Sequence, residues 1–184
     1  MKAFLALLAF DAALSIGATA RAQESEPKPA PPDTGLRAEV DTAAAWRTLF
    51  GLDIWGADTS FRIGGQGLRG IGGYAEASYF LGSTPAGLAT QLVWLGSRID
   101  VRVVDRLHIG GGFGGVNFDL ARASSHTGTI STWGAGLEAF ARGDLFQSPP
   151  YAVFVELRVH YLSLDTFHNP AVMWGQSLAA GVRF

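Results

Sequence analysis

The sequence predicts an all-β protein: a single closed antiparallel up-and-down transmembrane β-barrel of eight strands, preceded by a signal peptide and a Pro-rich disordered linker. Three observations carry that expectation. Stepping back by two from Phe184 gives Val182, Ala180, Leu178, Gln176 and Trp174, a mostly apolar face, while Arg183, Gly181, Ala179, Ser177 and Gly175 lie on the other. Beyond the N-terminal segment no uninterrupted apolar stretch approaches the ~18 residues of a membrane helix, and a closed barrel is the other structure that satisfies every backbone group in lipid. Pro85, Pro149, Pro150 and Pro170 fall between alternating apolar segments, where a missing N–H breaks no sheet ladder.

The 184 residues suit one domain of ordinary size. Met1 and Lys2 form a basic start, Ala3 to Ala20 is largely apolar, and Ala20-Arg21-Ala22 is a small-x-small site, so residues 1–22 read as a secretory signal peptide cleaved before Gln23. Asp11 fits that layout badly, because a carboxylate inside the apolar stretch is costly to bury. Residues 23–42 hold Pro27, Pro29, Pro31 and Pro32 among Glu24, Glu26, Lys28 and Asp33, the composition of an extended tether. Residues 43–184 form the expected barrel. The chain has no cysteine, which excludes disulfides, thiolate metal sites, a cysteine nucleophile and a lipid-attachment thiol.

Taken in order, the expected strands are 45–56, 67–81, 88–96, 98–104, 107–120, 127–142, 151–164 and 172–184. With both termini on the inner side, the connections 82–87, 104–106 and 144–150 face inward across the membrane. The connections 57–66, 96–97, 121–126 and 165–171 face outward. Breaking the long second and sixth segments would give ten strands, but about 140 residues at ~17 per strand plus connection favours eight. The glycine clusters Gly70–Gly73 and Gly110–Gly115 are irregular, and relieve crowding in a small barrel.

The faces of these segments assign the interior. Tyr151, Val153, Val155, Leu157, Val159 and Tyr161 form a face with aromatics at both ends and aliphatics between, as lipid contact requires. Phe154, Glu156, Arg158, His160 and Leu162 take the opposite face. By the same parity Ile99, Val101, Val103, Trp133, Ala135, Leu137 and Ala139 point out, and Arg98, Asp100, Arg102, Glu138 and Arg142 point in. A soluble barrel would reverse this sense, and the export signal, the aromatic strand ends and the terminal Phe favour the membrane form.

From Ala45 onward there are ten Arg, ten Asp or Glu and no Lys, so nucleic-acid binding lacks its basic face. An eight-stranded interior is about wide enough for side chains to fill. The balanced signs predict a zippered lumen of Glu76, Arg102, Glu138, Arg142, Glu156 and Arg158, with Arg47 and Asp53 as additions. An unpaired charge there would cost several kcal/mol.

Little chemistry is legible. Glu156, His160 and Ser163 contain the residue types of a serine hydrolase, but odd spacing sets Ser163 and His160 on opposite faces of one strand. His126 and His168 fall in expected loops without further metal ligands, and His108 opens a strand as a lumen or interface residue. Gly110–Gly115 lacks the helix and lysine of a nucleotide loop. The sequence therefore gives no catalytic residue, cofactor or metal site.

The stretch from Ala45 to Phe184 resembles the small eight-stranded bacterial outer-membrane β-barrels, the class of the outer-membrane protein A transmembrane domain. The likeness rests on the Trp174–Phe184 pattern, the Tyr151–Tyr161 face and the turn-to-strand segment Arg106-Leu107-His108-Ile109-Gly110. It implies residence in the bacterial outer membrane after export through the inner one. It also implies contact with outer-membrane lipids and lipopolysaccharide, and a C-terminal strand whose Trp174, Leu178, Val182 and Phe184 are read by the barrel-insertion machinery. With no peptidoglycan-binding domain expected after Phe184, the role implied is a monomeric, non-enzymatic integral barrel serving membrane integrity or surface interaction. A narrow channel for small or apolar solutes and a lipid-modifying barrel hydrolase are the alternatives.

Overall fold

Eight strands follow one another in the order of the chain and each pairs antiparallel with the next: β1 (Leu36–Leu49), β2 (Leu52–Gln66), β3 (Ile71–Ser83), β4 (Leu88–Val104), β5 (Leu107–Arg122), β6 (Ile130–Ser148), β7 (Tyr151–Asp165) and β8 (Pro170–Arg183). Pairing of β1 with β8 closes the barrel. The computed structural model describes residues 35–67, 70–122, 130–148, 150–165 and 170–184. The expected signal peptide, residues 23–34 of the expected linker, His126 and His168 lie outside them. Both described termini sit at one end, here called proximal. Closure extends to the last residue, because the Ala38 and Phe184 amides each donate to the other's carbonyl, at 2.8 and 2.9 Å.

The strand count is the one expected, yet it is reached differently. The barrel begins at Leu36, so residues 36–42 belong to a strand rather than to the linker. The expected strand 45–56 is instead the tip of the β1–β2 hairpin, whose two-residue turn Phe50-Gly51 has φ of 52° and 77°. Two positive φ values match the right-handed twist of flanking strands, but that turn ordinarily carries Asn or Gly first. Phe50 hides it. The expected loop 57–66 is accordingly most of β2.

The expected turn at Gly96-Ser97 lies inside β4, which runs unbroken for 17 residues. Gly96 is needed for space, not for a turn. A methyl group there would sit 2.8 Å from the Trp94 indole nitrogen, and methyls at Gly114 and Gly136 would sit 2.9 Å from the same ring system. Three strands thus lack side chains around one indole, and at Gly136 the Leu162 side chain, 2.3 Å from such a methyl, fills the same space. These two changes cancel in the count but move the turn 84–87 to the distal end, where Pro85 sets the turn and the Thr84 hydroxyl accepts from the Leu88 amide at 3.1 Å.

The outer surface is apolar. Trp133, Phe113, Leu95 and Leu137 are each at least 60 % exposed. Among the described residues the outward positions between the rims carry no Asp, Glu, Lys or Arg. Trp46 with Trp55, Tyr161 with Trp174 (ring centroids 4.7 Å apart) and Trp133 ring the distal edge of this surface. Tyr151, Phe146 and Phe184 mark the proximal edge. Trp174 and Phe184 are ten positions apart, which at ~3.3 Å per residue and ~40° tilt spans about 25 Å, the height of an outer-membrane apolar band.

Candidate functional site

The lumen holds the concentration of ionisable side chains. Eight carboxylates (Glu39, Asp41, Asp58, Glu76, Asp100, Glu138, Asp144, Glu156), six guanidiniums (Arg47, Arg62, Arg98, Arg142, Arg158, Arg183), His108 and His160 are buried there. Strand parity puts them there: inward positions are odd in β1 and β8 and even in β2 to β7 until the bulges at the proximal ends of β4 and β6. Every strand contributes at least one member. The expected inward set Glu76, Glu138, Arg142, Glu156 and Arg158 is brought together within it.

Glu156 accepts from Arg98 at 2.9 and 3.2 Å, from Arg62 at 3.3 Å and from Arg158 Nε. Arg62 also reaches Glu39 and Glu76, both at 2.9 Å, and Asp41. Arg142 bridges Glu39 at 2.8 Å and Asp100 at 2.6 Å, and Arg158 reaches Asp41 and, at 2.8 Å, the Ser60 hydroxyl. Glu39 and Asp41 on β1 thereby tie down guanidiniums of β2, β6 and β7. The imidazoles finish the array: His108 lies 3.1 Å from Asp100 and 3.6 Å from Asp144, and His160 lies 3.1 Å from Glu138. Arginine suits this work, since its planar fork serves several carboxylates at once.

Aromatic rings take up guanidinium faces the carboxylates leave. The Arg98 guanidinium carbon sits 3.5 Å from the Phe140 ring centroid, and Arg142 and Arg62 sit 5.3 and 5.9 Å from Phe154. Such stacking adds attraction where water is excluded.

Distal to the ions the lumen changes character. Leu49, Ile54, Phe80, Leu92, Trp94, Val116, Phe118, Leu162, Leu164 and Met173, with Ala45 and Ala171, form one buried cluster against which Leu120 packs. Arg47 joins the two layers, pairing with Asp58 at 2.8 Å and lying 4.6 Å from the Phe80 ring centroid. The lumen is thus an ionic layer closed at its distal side by an apolar one.

Two expected members are placed elsewhere. Arg102 has the inward parity of β4 but lies beyond the proximal rim, exposed, where β4 outlasts the barrel wall. Asp53 is on the outer face beside the distal turn and accepts from the Trp46 indole at 3.1 Å and the Thr48 hydroxyl at 3.3 Å. The terminal-strand residues Trp174, Leu178, Val182 and Phe184 all face outward. His160 is buried in the lumen and Ser163 is exposed outside, so the hydrolase constellation is not assembled. Among the described residues no group of three or more His, Cys, Asp or Glu is arranged to hold a metal ion. Glu39, Asp41, Asp58, Arg62, Asp144, Arg183, Arg98 and Asp100 were absent from the expected network, the last two although their parity had been read as inward. For the first four the period-two spacing was present, within stretches read as linker and loop.

No protein-family model matches the chain, and no curated protein sequence does. Solved structures do. Neisserial surface protein A superimposes with a TM-score of 0.62 at 14 % identity, over 83 % of this chain and 98 % of that one. Ail, the attachment invasion locus protein of Yersinia pestis, gives 0.60 at 12 % identity over 83 % and 99 % of the two chains. Ail in complex with the heparin analogue sucrose octasulfate gives 0.57 at 11 % identity over 81 % and 97 %. The fold is that of the small eight-stranded outer-membrane β-barrels.

Proposed function

We propose that this chain is a non-enzymatic resident of the bacterial outer membrane that acts through its rims and outer wall, in membrane integrity or surface interaction, and passes no solute through its lumen. The filled interior carries this reading: ionisable side chains from all eight strands, then an apolar layer of bulky side chains. A selectivity ring ordinarily lines water with one sign of charge in excess. Here each buried guanidinium meets a carboxylate within 4 Å.

Both described termini lie on the periplasmic side in this reading, supported by the short Asp105-Arg106 turn at the same end of the barrel. The protein reaches the membrane by export, is inserted through recognition of its terminal strand, contacts phospholipid and lipopolysaccharide, and is monomeric. The surface role follows the nature of the structural neighbours, a surface protein and an attachment protein.

Two measurements test it together. Envelope fractionation with heat-modifiable gel migration should place a folded barrel in the outer membrane. Liposomes carrying the protein should not swell in isotonic arabinose or glycine. Swelling at rates that rise with protein content would replace this function with the narrow-channel reading.

A further inference from the structure

Among the described residues the two rims differ in charge. At the distal rim the described outward-facing ionisable groups are Asp53, Asp119 and Asp165, and at the proximal rim Arg102 and Arg106 stand exposed around a single carboxylate, Asp105. Neither guanidinium has a protein partner among the described residues. They flank the tip of the β4–β5 hairpin, and the β6–β7 hairpin lies beside it, joined by the Asp144 amide donating to the Arg106 carbonyl at 2.8 Å.

Each hairpin carries a bulge at this level. Val103 has no partner between the pairs Arg102–His108 and Val104–Leu107, and Leu145 has none between Asp144–Phe154 and Phe146–Val153. Bulges bend a strand and re-aim its side chains. Here both extra residues are apolar and more than half exposed, and Val104 and Phe146 beside them are 49 % and 60 % exposed. The result is exposed apolar side chains at the ends of both hairpins beside two exposed guanidiniums that are unpartnered among the described residues. That is the chemistry of a lipid at the membrane interface: chains against the apolar side chains, phosphate in the arginine forks.

We infer that these hairpin ends bind an anionic phospholipid of the inner leaflet, with Arg102 and Arg106 on its phosphate and Val103, Val104, Leu145 and Phe146 against its acyl chains. The site rests on the membrane reading above. It also gives that reading an anchor, since a basic proximal rim held on phospholipid resists vertical drift of the barrel. Lipid charge governs the affinity, because Asp105 is the one exposed carboxylate beside the two cations among the described residues.

Native mass spectrometry of the full chain, released from nanodiscs of equal phosphatidylglycerol and phosphatidylcholine with matched acyl chains, tests the inference. Wild type should retain phosphatidylglycerol over phosphatidylcholine, R102Q/R106Q should lose roughly fivefold of that preference per arginine removed, and R102K/R106K should keep part of it. Heat-modifiable migration of wild type and of each variant reads the barrel separately, so a lost preference in a folded variant supports the site, while a wild type without heat-modifiable migration sinks the membrane reading instead. Equal retention of the two lipids by wild type, an unchanged preference in folded R102Q/R106Q, or displacement by millimolar inorganic phosphate would overturn it, the last in favour of a free-phosphate site.

Discussion

The lumen contains two fillings that exclude water by different physics. In the distal layer Phe80, Phe118, Leu162 and Met173 are almost fully buried and interact by contact alone. In the proximal layer Arg62, Arg142, Arg158 and Glu156 are as deeply buried, and are tolerable there because each is paired more than once. An apolar layer responds to volume and forgives exchange of one hydrocarbon for another. An ionic layer responds to stoichiometry, and the loss of one partner strands the others. The same wall therefore tolerates substitution at one end and resists it at the other.

The largest effect should come from the carboxylate that meets most guanidiniums. Glu156→Ala leaves Arg62, Arg98 and Arg158 facing one another and should lower stability by about 3–5 kcal/mol, read by urea unfolding in detergent micelles. Met173→Ala in the apolar layer should cost about 2–5 kcal/mol, whereas Leu92→Met should cost less than about 1.5 kcal/mol. Equal costs for those two would remove the distinction drawn for the distal layer. Gly114→Ala pushes on the Leu95 carbonyl and Gly96 Cα of the paired strand as well as on the Trp94 indole and should cost about 1–3 kcal/mol, of which Trp94→Leu in the same chain should recover only the part due to the ring.

The Arg47–Asp58 pair lies at the boundary and sharpens the comparison most. Asp58→Leu alone strands Arg47 and should cost about 3–5 kcal/mol, while Arg47→Met with Asp58→Leu extends the apolar layer downward and should return to within about 1 kcal/mol of wild type. A double variant no better than the single one would mean that pairing is not what governs the boundary. Smallest of all, Arg102→Gln at the rim should change stability by no more than about 0.5 kcal/mol.

Where strands carried strong contrast between faces, the sequence was readable. In β7, Tyr151 to Tyr161 alternate with Phe154, Glu156, Arg158 and His160, and both faces lie where parity put them. β1 and β2 were not readable, for physical reasons. The outward face of β1 is Ala38, Val40, Thr42 and Ala44, too weakly apolar to stand out beside a Pro-rich tract, and its turn uses Phe50 at a positive φ that the residue type does not announce. Five of the sixteen buried ionisable side chains (Glu39, Asp41, Arg47, Asp58 and Arg62) sit on those two strands, so the network was legible as opposite charges on inward faces but not as a set of pairs. Gly96 misled for the opposite reason: a glycine that makes room for an indole looks, in one dimension, like a turn. Arg102 had the right parity and the wrong height, and height depends on where the barrel wall stops.

Both layers matter to function only if together they seal the cylinder, and electrical recording in planar bilayers tests that most directly. Wild-type protein confirmed as folded by heat-modifiable migration should show no steady conductance above the bare membrane. A stable, reproducible unitary current from that same material would contradict the account.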